Sequence, residues 1–489
     1  MRPVGSGNRL CREVSIDDDV AEWDGMNMAE LATFVRVSWD ALQAGRQREA
    51  GIARRQSGRL QELVAFAREH SPYLAGRYWS APAHVTHIEQ LPALNKAEMM
   101  AHFDEWVTDP QVSRKKVEDF IADPKLIGHD FLGRYVVCTT SGATGTPAIL
   151  LHDHRALTVY NVLGYVRSLR TVLSARQVWA LTRGKGRMAA VFVTGGHFLG
   201  NTMIARRHRA IPWRAKTQRL FSALTPQDQL LAELNDFSPV ILGGYPSALD
   251  LLAQQQRAGR LHIKPVLISA AGETLTDQMR QRISTAFGCQ VSNYYGSSEA
   301  IGLTFECSAQ HMHINSDWYI VEPVDEAGRP TPLGQMSHGL LVTNLANRIQ
   351  PIIRYQMSDR VAISPDPCIC GSPFPQIRVE GRTDDVLVFP SPQGKGIRIL
   401  PLPLVTVAEG TPGLASCQLI QTEPSTLLVR LSATRPQEEY AVWEALRARV
   451  ADYLAAQGVS GVLLEKAPEG PQLHPRSGKF RQVYSEVDD

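Results

Sequence analysis

The spacing of apolar positions divides the chain into regimes. Over 29–78 it is helical: Leu60, Leu63, Val64 and Ala67 recur at steps of three and four, giving one apolar stripe, and Ser71-Pro72 ends it. Leu91-Pro92-Ala93-Leu94-Asn95-Lys96 predicts a turn that opens a second helix through Ala97-Glu98-Met99-Met100. Beyond it, short apolar runs alternate with longer periodic ones. The runs 135–138 and 148–151 predict strands on either side of a polar loop, and a helix follows over 154–173. Further strands are predicted at 177–181, 189–193, 239–242, 265–269 and 291–295, with helices at 247–257 and 276–287. This alternation implies an α/β protein with mainly parallel sheet flanked by helices, whose ligands bind beyond the carboxyl ends of the strands. From about Gly339 the chain turns strand-rich, and 384–489 carries its own strand and helix pattern. The expected division is a polar extension without periodicity at 1–27, a large domain at 28–383, and a small α+β domain at 384–489.

The loop between the first two strands reads Thr139-Thr140-Ser141-Gly142-Ala143-Thr144-Gly145-Thr146-Pro147. Glycine lets a backbone approach a ligand closely, and hydroxyls with exposed N–H groups cradle phosphate oxygens. No Gly-Lys-Ser/Thr follows and a strand, not a helix, comes next, so this is not the familiar lysine-containing phosphate loop. Taken alone, the same run is also what a plain surface turn looks like.

Composition narrows the choice. An apolar fraction of 44% and a charged fraction of 20% suit an ordinary globular protein. A net charge of +2 argues against nucleic acid as the main partner. No apolar run is long enough to span a bilayer, and the N-terminal basic residues lack the apolar core of a secretory signal. Seven cysteines, scattered except for Cys368-Ile369-Cys370, fit a reducing cytoplasm with metal ligation and not a disulfide framework.

Five stretches, in this order, resemble the adenylate-forming superfamily of acyl-coenzyme A synthetases. They are the loop 139–147, Asn293-Tyr294-Tyr295-Gly296-Ser297-Ser298-Glu299, Arg354-Tyr355-Gln356-Met357-Ser358-Asp359, Gly381-Arg382-Thr383-Asp384-Asp385, and Pro475-Arg476-Ser477-Gly478-Lys479. The helical N-terminus, Leu91-Pro92 with Lys96, and Ile353-Arg354-Tyr355 are most similar to the phenylacetate–coenzyme A ligase group. The resemblance implies a two-step reaction: a carboxylate attacks the α-phosphate of ATP, releasing pyrophosphate, and a thiol, usually that of coenzyme A, displaces AMP.

The same resemblance implies roles. Thr140, Ser141, Gly142, Thr144 and Gly145 would hold phosphates, and Glu299 would bind Mg²⁺. Tyr295 would lie on the adenine, with Gly272, Glu273, Tyr294, Gly296 and Ser298 around it. Asp359 would accept from the ribose hydroxyls, Arg382 would reach ribose or phosphate, and Lys479 would stabilise charge at the α-phosphate. Asp384 would be the hinge of a mobile C-terminal domain, and His197, Phe198, Gly244 and Tyr245 would line the acid pocket. Cys307, His313, Cys368 and Cys370 would hold a structural zinc, with His311 as the rival imidazole. The bland readings are a helix-start carboxylate for Glu299, a mobile tail cation for Lys479, and small buried hydrophobes for the cysteines.

One departure stands out. Many relatives carry a lysine near the end of the phosphate loop, where this chain has Thr146 and Ala148, leaving His152, His154 and Arg155 as the nearest cations in sequence. Two basic runs, Arg183-Gly184-Lys185-Gly186-Arg187 and Arg206-Arg207-His208-Arg209, offer charge for a coenzyme A phosphate or are solvated faces. Three functions stay open: an acid–thiol ligase using ATP, Mg²⁺ and coenzyme A; an enzyme that stops at adenylation or serves another acceptor, such as a carrier partner; and a non-catalytic nucleotide-binding module. A homodimer is compatible with all three.

Overall fold

In the computed structural model, residues 28–140, 148–169, 175–183, 186–380, 386–390, 396–472 and 481–487 are described. Two long helices, Met28–Arg46 and Arg48–His70, open the chain. The second buries the predicted stripe of Leu60, Leu63, Val64 and Ala67, and Pro72 starts a new short helix, Pro72–Arg77, capped by the Ser71 hydroxyl. Asn95 caps the next helix, Lys96–Ala101, by accepting from the Glu98 amide at 2.9 Å. These helices pack on the hairpin Tyr135–Thr139/Ile149–Asp153 and on later antiparallel strands, forming the largest core. The indole of Trp106 is fully buried in it and donates to the Pro351 carbonyl at 3.0 Å.

A five-stranded parallel sheet follows, in the order Gln218–Ser222, Met188–Phe192, Ile241–Gly244, Leu267–Ala271, Gln290–Tyr294. Helices Gln227–Phe237, Pro246–Arg257 and Asp277–Phe287 build a second core against it. The chain then turns antiparallel. Tyr319–Val324, Gly339–Asn344 and Ile352–Met357 make one sheet. Val361–Ile363, Gln376–Val379, Met312–Ile314 and Thr304–Glu306 make another. The C-terminal part has its own core, a four-stranded mixed sheet covered by helices Pro401–Glu409 and Glu439–Ala456.

Two expected elements differ. Residues 177–181, read as a strand, lie in the helix Ala175–Arg183, and the edge strand of the parallel sheet is Gln218–Ser222. A five-residue run does not separate strand from helix by period, and here Leu181, with Met188 and Val266, packs against Ile241 and Leu267 of the sheet. Of the helix expected over 154–173, His154–Leu163 is α-helical and Gly164–Leu169 is a π-helical turn, while 170–173 lie outside the described residues. That turn carries Arg167, which is buried and forms a two-pronged pair with the fully buried Asp317, at 2.7 and 2.8 Å. Arg167 also donates to the Ala41 carbonyl and lies over the Phe374 ring, tying the first helix to the cysteine-bearing loop.

Candidate active site

The carboxyl ends of the parallel strands open into a cleft of about 3510 Å³, several times an ordinary single-ligand pocket. Its walls carry Thr140, Tyr294, Tyr295, Gly296, Ser298, Glu299 and Asp359, so side chains spread over more than 200 residues of sequence face one space. Glu299 is 8% exposed and follows the last parallel strand. Asp359 follows the strand Ile352–Met357. Thr140 closes the neck of the candidate phosphate loop: its hydroxyl accepts from the Ala148 amide at 2.9 Å and its amide donates to the Ala148 carbonyl at 3.0 Å. Ser141, Gly142, Thr144, Gly145, Arg382, Asp384 and Lys479 lie outside the described residues, as does the extension at 1–27.

Burial governs the tyrosines: it pushes the hydroxyl of Tyr294 up to about 12, and Tyr294 accepts from the Gly302 amide. The backbone of Tyr295 is pinned on both sides by the Thr304 hydroxyl, which accepts from its amide at 3.0 Å and donates to its carbonyl at 2.8 Å. Gly272 lines the cleft at φ +88°, and a Cβ there would sit 2.9 Å from the Tyr245 ring, so no other residue fits. Glu273 also lines it and accepts from the Ser247 amide at 3.0 Å, at the start of the helix Pro246–Arg257.

Of the four residues expected to form the acid pocket, Phe198 and Tyr245 line the cleft, and His197 and Gly244 do not. The His197 ring is 1% exposed and packs on Phe120, with centroids 5.3 Å apart; what it offers the site is its carbonyl, which accepts from the Thr139 amide at 2.9 Å. Gly244 is buried within its strand, where an added Cβ would come within 3.1 Å of the Val191 carbonyl. Phe192 completes the apolar corner, edge-on to Tyr245 at 4.8 Å.

The cations nearest the loop in sequence turn elsewhere. His152 is fully buried and held down to about 4 by burial, with the Ser298 backbone offsetting only part of this. His154 pairs with Asp130 at 3.1 Å, and Arg155 donates to the Ala346 carbonyl at 2.6 Å. Lys96 and Arg114 do line the cleft, as sequence spacing alone did not indicate. Neither basic run lines it among the described residues; Arg206 pairs with Asp130 and Arg187 donates to the Ser238 carbonyl.

Behind the cleft, Cys307, His313, Cys368 and Cys370 bring one ligand atom each within 4.8 Å of one another. The Cys307 and Cys368 sulfurs are 3.9 Å apart, and His313 Nε2 is 3.5 Å from the Cys370 sulfur. A tetrahedral zinc with ordinary bond lengths separates such pairs by roughly 3.8 and 3.6 Å, so the donor set fits. His313 Nδ1 donates to the Phe374 carbonyl at 2.7 Å, which leaves Nε2 bare for a metal. His311 is not in the set; its Nδ1 lies 3.2 Å from the Cys368 sulfur, outside the ring of ligands. Burial raises the Cys368 thiol, but hydrogen bonds from the Cys370 backbone, His311 and its other neighbours draw it down to about 6.

The AMP-binding enzyme family model matches residues 133–337, which begin just before the loop strand and include Glu299. In solved structures the fold recurs along nearly the whole chain. It matches 2-hydroxyisobutyryl-CoA ligase in the postadenylation state with 2-HIB-AMP at TM-score 0.52, covering 91% of this chain and 90% of that one at 21% identity. The fold is that of an adenylate-forming ligase, and the AMP-binding family match lies within it. The same ligase with 2-HIB-AMP and CoA, in the thioesterification state, matches this chain at TM-score 0.54 and 21% identity over 89% and 90% of the two chains. Among curated relatives, protein CapK of Staphylococcus aureus is 30% identical over 135 residues, 27% of this chain and 28% of that one. Phenylacetate-coenzyme A ligase of Pseudomonas putida is 28% identical over 177 residues, 34% of this chain and 38% of that one. These two matches therefore span about a quarter to two fifths of the relatives' length.

Proposed function

We propose that the protein activates a carboxylic acid with Mg·ATP and passes the acyl group to the thiol of coenzyme A, as a phenylacetate–coenzyme A ligase-like enzyme. The supporting observation is the convergence of Thr140, Tyr295, Glu299 and Asp359 on one cleft, in a chain with the fold of adenylate-forming ligases. In the first step a carboxylate oxygen bonds to the α-phosphorus and the bond to the β-phosphate breaks, so pyrophosphate leaves. In the second the thiol sulfur bonds to the acyl carbon, AMP leaves, and the thiol proton passes to solvent. Phosphoryl and nucleotidyl transfer ask the protein chiefly for positioning and charge stabilisation.

In this reading the loop from Thr140 to Gly145 holds phosphate oxygens, Tyr295 lies on the adenine, and Asp359 accepts from the ribose. The carboxylate of Glu299, with hydroxyls on the same wall, is a hard-oxygen set that suits Mg²⁺, which when bound screens the phosphate charge. Arg382 and Lys479 supply cations, and Asp384 marks the hinge between domains 28–383 and 384–489. Phe192, Phe198 and Tyr245 favour an aryl or aliphatic acid. Zinc on Cys307, His313, Cys368 and Cys370 is structural, since all four ligands come from the protein.

The test is acid-dependent exchange of pyrophosphate into ATP across a panel of aryl and aliphatic acids, with AMP release followed with and without coenzyme A. Exchange with at least one acid, and AMP release that rises with coenzyme A, is the expected result. Exchange without any coenzyme A effect points to another acceptor; nucleotide binding without exchange overturns the enzyme reading.

A further inference from the structure

Glu299 is gripped from beneath by residues outside the proposed ATP-contacting set. The Tyr355 hydroxyl donates to Glu299 Oε1 at 3.4 Å, and Tyr355 is only 4% exposed. Asn344, fully buried, donates to the Glu299 carbonyl at 3.0 Å and to the Tyr160 hydroxyl at 2.8 Å. The Tyr160 hydroxyl in turn meets His152 Nδ1 at 3.5 Å, on the strand that follows the candidate phosphate loop.

Tyr355 and Asn344 come from the two partners of one irregular strand pair. Between Gly339–Asn344 and Ile352–Met357 the register slips: Val342 faces Tyr355 but Asn344 faces Ile352, so Ile353 and Arg354 together oppose Thr343. At this bulge Arg354 has φ +50°, a left-handed backbone that a non-glycine residue rarely adopts. Its surroundings hold it there. The Arg354 amide donates to the Thr343 hydroxyl at 2.9 Å, and its carbonyl accepts from the Leu94 amide at 3.0 Å. Its guanidinium pairs with Glu322 at 2.8 Å and donates to the Leu91 carbonyl at 2.6 Å. A strained residue held by so many contacts, directly before a side chain aimed at a candidate metal ligand, points to a positioning device.

We propose that Tyr355, turned by the Arg354 bulge, is a positioning residue that fixes the orientation of the Glu299 carboxylate for its divalent cation. This rests on the reading of Glu299 as the cation ligand. Since Tyr355 stands four residues before Asp359 on the same segment, it also couples the proposed ribose contact to the metal ligand.

The experiment compares the full-length wild type with Tyr355→Phe, Glu299→Gln and the double variant. Binding of Mn²⁺ in the presence of ATP is followed by electron paramagnetic resonance, ATP binding in EDTA by calorimetry, and melting temperature alongside. Tyr355→Phe is expected to weaken Mn·ATP binding about tenfold, the ratio carried by one hydrogen bond to a charged group. ATP binding in EDTA stays within about twofold of wild type, well inside the span of that one bond. Added to Glu299→Gln, it should have no further effect, because the group it positions is gone. Unchanged Mn·ATP binding, an equal loss with and without metal, or additive effects in the double variant would overturn the proposal. If the tyrosine effect is present while wild type exchanges pyrophosphate with no acid, the enzyme reading fails and this inference stands.

Discussion

At the scale of single residues, His152 shows how burial sets chemistry. It stands on the strand after the loop, inside a chain of hydrogen bonds that reaches Glu299 through Tyr160 and Asn344. Its imidazole is held near 4, well below the ordinary 6.5, because a charged ring there would be stripped of water. The unfolded chain therefore binds a proton between those two values that the folded one does not. Stability should fall as pH drops from about 6.5 toward 4, by roughly 3 kcal/mol from this group, and change no further below that. Urea titrations at a series of pH values check this: relative to wild type, His152→Gln should show a shallower loss on the acid side. Equal slopes would mean that the ring takes up its proton equally in the folded and unfolded chain.

At the scale of elements, the cysteine–histidine set brings the hairpin Thr304–Glu306/Met312–Ile314 together with the loop that precedes Gln376–Val379. The first strand of that hairpin starts five residues after Glu299, and Thr304 clamps the Tyr295 backbone. Glu306 accepts from the Asn293 amide and pairs with Arg280, so the cysteine–histidine set and the wall that carries Tyr295 share one strand. A metal there would stiffen the site without touching substrate. Purified without chelator, the protein should carry about one zinc per chain, the content of a closed four-ligand site. Cys370→Ser should lower both zinc content and melting temperature, as elemental analysis and a thermal scan would report. Protein that is fully stable and metal-free would end that assignment.

At the scale of the whole molecule, the cleft is walled on one side by the parallel sheet and on the other by the C-terminal part, through Val388, Arg398, Gln421 and Ser485. Polar contact between the two parts includes the Gln457 side chain donating to the Leu224 carbonyl at 2.6 Å. A tail that completes the site for one half-reaction and withdraws for the other gives a sharp expectation. Lys479→Ala should slow adenylate formation by about a hundredfold or more, the cost of losing a group that stabilises transition-state charge. Thioester formation from pre-made acyl-adenylate should be largely spared. Single-turnover measurements of each half-reaction decide it; equal losses in both would remove the rotating-domain picture.

The sequence by itself determined what depends on neighbours along the chain. The helical stripe ending at Pro72, the strand–loop–strand around Thr140, and Gly272 after its strand are local patterns, and they hold in the structure. The Cys-x-Cys pair with Cys307 and His313 was legible because ligand chemistry restricts the residue types. Tertiary structure alone decided the rest. It chose His313 over His311, made 177–181 a helix, and turned the His197 ring toward Phe120 and away from the cleft. It also set Tyr355 and Asn344 beneath Glu299, 56 and 45 residues away in sequence. The physical reason is that periodicity reports which face of an element is buried. Which partner a buried polar group finds is fixed only when distant strands pair, and here that pairing slips by one residue at Arg354.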